Sequence, residues 1–217
     1  MLRKVISDLI RPFFYPLSGS ILVMSRPKRQ REPEEDILAT DDPNVTYGKG
    51  LPNSYAATLI KKELKHMQKE APIGISCGLE DDNNLFVWNV TITGPPDTPY
   101  SEGFFQAIMD FPDNFPNYPP RLRFTSEMWH PNIYHDGRVC ISILHPPGED
   151  KWGYESAAER WRPINNVESV LISIQSMLAE PNDESPANID AAVMWRNDPK
   201  EFKKRVSRTV RLSQEAF

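Results

Sequence analysis

Two cysteines, Cys77 and Cys140, are the candidate nucleophiles of this 217-residue chain, and their settings differ. Cys140 ends a turn-rich stretch that runs His130, Pro131, Asn132, then Asp136 and Gly137, then Cys140, Ile141 and Ser142. Taken alone, a cysteine is more often a small core residue than a nucleophile. As a thiolate, however, it attacks acyl groups and leaves again readily, which suits passing an acyl group from one sulfur to another and then to an amine. The amine step builds an oxyanion that an amide donor can stabilise, and the amine must lose a proton to nearby polar groups. Cys77 lies in a stretch expected to be a short strand and is read as a small packing residue. His66, His135 and His145 receive no role. A thiol hydrolase needs a histidine and an orienting partner beside the cysteine, and nothing in the spacing prefers His135 or His145. No CxxC or Cys/His ligand pattern occurs, so neither a structural zinc nor another metal site is expected.

The composition is compatible with this chemistry in a reducing compartment. Two cysteines are too few for a secreted disulfide scaffold. A net charge of -5 disfavours a general nucleic-acid binder. Charged and apolar fractions are those of an ordinary globular domain, and the length fits one domain plus an extension, or two small domains. The 21 prolines fall in turns and not in one tract, as in a loop-rich α+β domain.

Elements that would carry Cys140 are legible from residue 54 onward. Ser54 is a good N-cap, and Ala57, Ile60, Leu64 and Met67 recur at helical spacing until Pro72. Residues 73–79 can form a short strand, and 81–84 a turn. Residues 85–93 alternate, with Phe86, Trp88, Val90 and Ile92 on one face. Phe105, Ala107, Met109 and Phe111 alternate likewise, and 122–124 supply a fourth strand. Strands joined so tightly should pair as an antiparallel meander. Residues 125–163 lack periodicity, as functional segments often do. Asn165 with Glu168 resembles a capping box, ahead of Val167, Val170, Leu171, Ile174, Met177 and Leu178. Helices over about 187–195 and 199–214 follow. The expectation is an α+β fold: one helix, a four-stranded antiparallel meander, an irregular active-site segment, then three helices.

Residues 1–53 read as a disordered N-terminal extension, and 54–217 as the catalytic domain. Pro12 and Pro16 interrupt the apolar start, and no run is long enough to span a bilayer. A secretory signal is weak there, since no clear cleavage site follows; an interfacial anchor or targeting segment is the alternative. Met24 could be a second start. The basic run at 26–31 could direct nuclear import, but acidic residues at 32–36 follow at once, as in a solvated tail.

The ordered motifs around Cys140 resemble those of the ubiquitin-conjugating enzymes. A His-Pro-Asn tripeptide (His130, Pro131, Asn132) stands eight residues before the cysteine, counted from its asparagine, with Asp-Gly between. The Pro-Tyr-Ser-Glu-Gly-Phe run at 99–104, Tyr-Pro-Pro at 118–120, the Trp161–Pro163 element and Glu-Pro-Asn at 180–182 match in the same order. The resemblance covers the chain from about Ser54 onward. It implies that Cys140 carries ubiquitin as a thioester and passes it, with a ligase, to lysine amines. It implies that Asn132 stabilises the oxyanion or orders a loop, and that His130 and Pro131 shape the turn without moving protons. Ser185, where other members carry aspartate, with Glu184 beside it, would form the environment of the acceptor lysine.

Residues 145–160 are longer than the minimal link and resemble the acidic insertion of the class G subfamily. Glu149, Asp150, Glu155 and Glu159 would put negative charge near the thiol, on a loop that guides an acceptor ubiquitin or restrains reactivity. In that subfamily the loop is tied to polyubiquitin chains that mark proteins for degradation. The implied partners are ubiquitin, the ubiquitin-activating enzyme, a RING-type ubiquitin ligase and protein substrates. No cofactor is implied, ATP being used by the activating enzyme. Lys61, Lys62, Phe115, Asn117, Tyr118, Trp161 and Pro163 are the expected docking residues. Asn117 departs from the large apolar residue common there. The expected compartment is the cytoplasm, with the nucleus or the endoplasmic reticulum surface reachable through partners. The competing expectation is a non-catalytic binding scaffold of the same fold.

Overall fold

The Ser54 side chain accepts the Ala57 N–H at 3.1 Å and opens α1 (Tyr55–Glu70). Ala57, Ile60, Leu64 and Met67, the stripe expected from spacing, are all buried. We describe the chain from a computed structural model covering residues 42–150 and 155–216. The expectations for residues 1–41, and the part of the acidic insertion at 151–154, lie outside these described residues.

Four strands follow α1: β1 (Ile75–Asp81), β2 (Asn84–Thr93), β3 (Phe104–Asp110) and β4 (Arg121–Phe124). They pair antiparallel in the order β1-β2-β3-β4. Val90 stands opposite Cys77 on one side and Ala107 on the other, so the inward residues of neighbouring strands fall in one layer. Phe86, Trp88, Val90, Ile92, Phe105, Ala107 and Met109 are buried. Against them packs α2 (Val167–Ala179), which buries all six residues of its predicted stripe. Burying each such aliphatic side chain is worth roughly 1.5–3 kcal/mol. Glu63 of α1 accepts the Val167 N–H at 3.1 Å. That places a carboxylate on the positive end of α2, where the helix dipole favours it. Then come α3 (Ile189–Asn197) and α4 (Pro199–Glu215). The order is the expected one: helix, meander, irregular segment, three helices.

Several ends shift by one or two residues, β1 lying at Ile75–Asp81 against 73–79 and α3 at Ile189–Asn197 against 187–195; two further differences have a clear physical reason. The N-cap of α2 is Asn166, not Asn165: its side chain accepts the Ser169 N–H at 2.8 Å, and the Ser169 hydroxyl accepts the Asn166 N–H at 3.2 Å. Asn165 is spent in the preceding turn, its N–H bonded to Arg162. The second difference is at the start. Residues 42–53, expected to belong to the extension, make contacts with the domain. Tyr47 bridges to Pro112, the Arg121 guanidinium stacks 3.7 Å over the Tyr47 ring, and Tyr118 donates to Asp42 at 2.8 Å. These contacts are long-range, so no local periodicity announces them.

Candidate active site

The turn before Cys140 is built on Gly137. Its φ of 88° is one that L side chains rarely adopt, and a Cβ there would meet the Phe124 carbonyl oxygen at 2.1 Å. The Gly137 carbonyl in turn accepts the Phe124 N–H at 2.8 Å. Bridges from Arg123 to Arg138 and from Ile133 to Val139 tie the segment to the edge of β4 and to itself. Cys140 emerges from this clamp partly exposed. Its N–H donates to the Asn132 carbonyl at 3.0 Å, so the thiol-bearing residue and the asparagine are backbone partners.

The three residues of His-Pro-Asn are buried. His130 donates from Nε2 to the Met177 carbonyl at 2.9 Å and accepts the Asn132 N–H on Nδ1 at 2.9 Å. Both ring nitrogens are thus held by backbone. Burial depresses its pKa to about 4, with the Met177 bond opposing that shift, so the ring is neutral near pH 7. The Asn132 side chain forms a reciprocal pair with Asn182: Nδ2 donates to the Asn182 carbonyl at 2.6 Å, and Oδ1 accepts the Asn182 N–H at 2.9 Å. Its amide is engaged in holding the loop that runs into Glu184 and Ser185. Asn182 continues the chain of contacts, its side chain accepting the Glu184 N–H at 3.1 Å. Glu184 is exposed, Ser185 is half-buried, and Asp183 is paired with Arg196.

Tyr100, from the 99–104 run, is fully buried and donates its hydroxyl to the Trp129 carbonyl at 2.6 Å. The motif supports the segment from beneath.

The acidic insertion does not behave as four equivalent carboxylates. Glu149 and Glu159 are exposed, and Glu159 accepts the Ser156 N–H at 2.9 Å. Glu155 turns inward. Its oxygens stand 2.9 and 2.8 Å from Nδ1 of His145. The Ser142 hydroxyl donates to Glu155 at 3.0 Å, and Arg160 lies 3.7 Å away. Asp150 accepts the Glu155 N–H at 3.2 Å. His145 is buried, and its Nε2 stands 3.8 Å from Cys140 Sγ. Of the four expected carboxylates, Glu155 lies closest to the thiol through His145, and it is paired there with Ser142, His145 and Arg160. His145, given no role from sequence, is the functional candidate that was missed. Only its position five residues after Cys140 hinted at it. A cavity of about 260 Å³ opens beside the pair, with Asp110, Arg121, Arg138, Cys140, Leu144 and His145 in its wall.

The expected docking residues divide by exposure. Lys61, Lys62, Asn117 and Pro163 are exposed and Tyr118 is half-buried. Phe115 and Trp161 are not available for contact: they are buried at 3% and 0% exposure, their rings 6.0 Å apart. Trp161 donates to the Pro116 carbonyl at 2.8 Å, which joins the two loops into one surface. Among the described residues the most exposed large apolar side chains are Ile73, Ile164, Leu51 and Tyr55, at 96%, 82%, 77% and 73%. Leu51, Ile73 and Ile164 lie in loops and Tyr55 on the first turn of α1, outside any periodic apolar pattern.

Among the described residues no group of three or more His, Cys, Asp or Glu side chains could hold a metal ion. Nor is any helix among them long and apolar enough to cross a membrane.

Comparison with known proteins gives the same picture. The family model described as ubiquitin-conjugating enzyme matches residues 59–210. The chain is 62% identical over 164 residues to ubiquitin-conjugating enzyme E2 7 of Arabidopsis thaliana, covering 76% of this chain and 99% of that protein. It is 56% identical over 165 residues to ubiquitin-conjugating enzyme E2 15 of Schizosaccharomyces pombe, covering 76% and 99%. It is 52% identical over 161 residues to ubiquitin-conjugating enzyme E2 G2 of Homo sapiens, covering 73% and 98%.

Proposed function

The chain belongs to the ubiquitin-conjugating enzymes, a family of thioester-forming transferases, and from that premise we propose that Cys140 is the residue that carries ubiquitin. The observation that supports this assignment is the clamp itself. A partly exposed thiol is backbone-bonded to Asn132, whose side chain is bonded in both directions to Asn182. In this reading the thiolate takes the ubiquitin C-terminus from the activating enzyme, and a lysine amine then attacks the Cys140 thioester. Asn132 acts chiefly by ordering the loop that ends in Glu184 and Ser185, the polar groups that would receive the lysine. His130 and Pro131 shape the turn.

We place the activating enzyme and a RING-type ligase on the surface made by α1, the 113–118 loop and the loop after Trp161. Lys61 and Lys62 supply charge there, and Tyr55 and Ile164 supply apolar contact. The exposed Glu149 and Glu159 guide an acceptor ubiquitin, which fits assembly of degradation-type chains. The working compartment is the cytoplasm.

The test is one gel. Purified protein, activating enzyme, ATP and ubiquitin should give a thiol-sensitive adduct. Cys140→Ser should give a thiol-resistant ester, and Cys140→Ala none. An adduct that survives in Cys140→Ala would move the site elsewhere, and ubiquitin binding without any adduct would favour the scaffold reading.

A further inference from the structure

We propose that residues 42–50 form an arm that holds the 113–119 loop in its docking shape, with Asp42 and Tyr47 as positioning residues for capture of the activating enzyme. The inference rests on the reading that this loop belongs to the docking surface for that enzyme.

The arm's own sequence suits its place. The Val45 N–H donates to the Asp42 carbonyl at 3.0 Å, so residues 42–45 close a turn. Asp42 and Pro43 hold its first two positions, where each is favoured. Asn44 donates to Oδ1 of Asp42 from its backbone and from its side chain, both at 2.9 Å. The carboxylate is thereby fixed, and its Oδ2 accepts the Tyr118 hydroxyl at 2.8 Å.

Beyond the turn the arm runs antiparallel to the chain that leaves β3. The Gly48 N–H donates to the Phe111 carbonyl at 3.0 Å, and the Thr46 carbonyl accepts the Asp113 N–H at 2.9 Å. The Tyr47 hydroxyl donates to the Pro119 carbonyl at 3.2 Å, and its ring lies under the Arg121 guanidinium. The Gly48 carbonyl accepts the Asn84 side-chain amide at 3.0 Å. Gly50 passes so close to the buried Phe86 ring that a Cβ would meet it at 2.2 Å. A bulkier residue there would push the arm off the sheet.

These bonds fall at the ends of the loop. The arm grips residues 113, 118 and 119 from outside, and Trp161 grips Pro116 from the interior. Asn117 stays exposed between the grips. A loop fixed at both ends has less conformational freedom left to lose when a partner docks, and that preorganisation is read out as affinity. The stretch matched by the family starts at residue 59, so the arm stands outside the matched domain while serving one of its loops.

An arm that only stabilised the fold would change the denaturation midpoint and leave docking alone. The test is therefore kinetic. Initial rates of thioester loading are measured with the full-length protein as the varied substrate of the activating enzyme, ATP and ubiquitin being saturating. The double variant Asp42→Ala/Tyr47→Ala should raise KM about 5-fold with kcat unchanged. Asp42→Asn still accepts from Tyr118, and Tyr47→Phe keeps the ring against Arg121, so each alone should stay near wild type. Hydrogen exchange of residues 113–119 should quicken in the double variant while the amides of α2 keep their protection. Asn117→Arg, which alters the exposed tip and not the arm, checks the docking surface itself. An unchanged KM in the double variant beside a raised KM in Asn117→Arg overturns the role of the arm. An unchanged KM in both means that the loop does not dock the activating enzyme, and the reading beneath the proposal falls. A loss confined to kcat overturns the proposal as well. If the double variant does not fold, Tyr118→Phe decides: it removes only the bond to Asp42 and should raise KM about 2-fold, and an unchanged KM overturns the proposal.

Discussion

His130 and His145 are both buried, both lie in the irregular segment around Cys140, and both bond through each ring nitrogen, yet their partners give them opposite characters. His130 faces two backbone groups, the Met177 carbonyl and the Asn132 N–H. Burial outweighs the Met177 bond, which favours a charged ring, and drives the pKa down to about 4. His145 faces a carboxylate on one side and a thiol on the other. The first accepts from Nδ1, and the second stands within reach of Nε2. Burial alone therefore does not make a histidine structural or chemical. What it is buried against does.

The comparison can be broken in three ways. The largest effect is expected from His130→Ala. It removes a well-packed ring and leaves the Met177 carbonyl and the Asn132 N–H unpaired, at a cost of about 4 kcal/mol. Urea denaturation should show this as a lower midpoint. His145→Gln should lie within about 1 kcal/mol of wild type, since glutamine keeps a polar side chain in the same place. Equal losses would mean that both rings serve only as packing.

The second effect is on acid stability. The folded pKa of His130 lies below its unfolded value, so protons bind the unfolded chain preferentially. Its contribution is complete above pH 6.5, declines as pH falls, and is gone below about 4. A depression of this size corresponds to roughly 3 kcal/mol. Denaturation midpoints measured across that range should fall steeply for wild type and less so for His130→Gln. An unchanged slope in the variant would show that another group governs the acid limb.

A smaller loss than that of His130→Ala is expected from Asn132→Ala. Loss of the paired bonds to Asn182 should cost about 2 kcal/mol, concentrated in the loop from 182 to 185. Thioester loading should persist while discharge to free lysine falls sharply. Loading and discharge that fall together would place Asn132 with His130, as support for the whole segment, and not for one loop.

Much of this molecule was legible in advance. The α1 stripe, the alternation in β2 and β3 and the six buried residues of α2 were read from spacing, because burial of a regular element repeats with its own period. Cys140, Asn132 and the His-Pro-Asn turn were read from motif. The N-cap moved by one residue because Asn165 and Asn166 are chemically identical, and only the backbone decides which side chain reaches the Ser169 N–H. Residues 42–53 were assigned to the extension because Tyr47 and Asp42 find their partners, Arg121 and Tyr118, more than seventy residues away. Motif membership does not report exposure, so it cannot show that Phe115 and Trp161 are buried.

The amino-acid order by itself determined the elements, their sequence and the cysteine they present, since periodicity and turn chemistry act over a few residues. It did not determine that Glu155 leaves its acidic neighbours and folds inward. That depends on Ser142, His145 and Arg160 converging from both sides of an aperiodic loop. Only a folded chain brings a carboxylate, an imidazole and a thiol into line, because hydrogen bonds and ion pairs reach a few ångströms in space and take no account of distance along the chain.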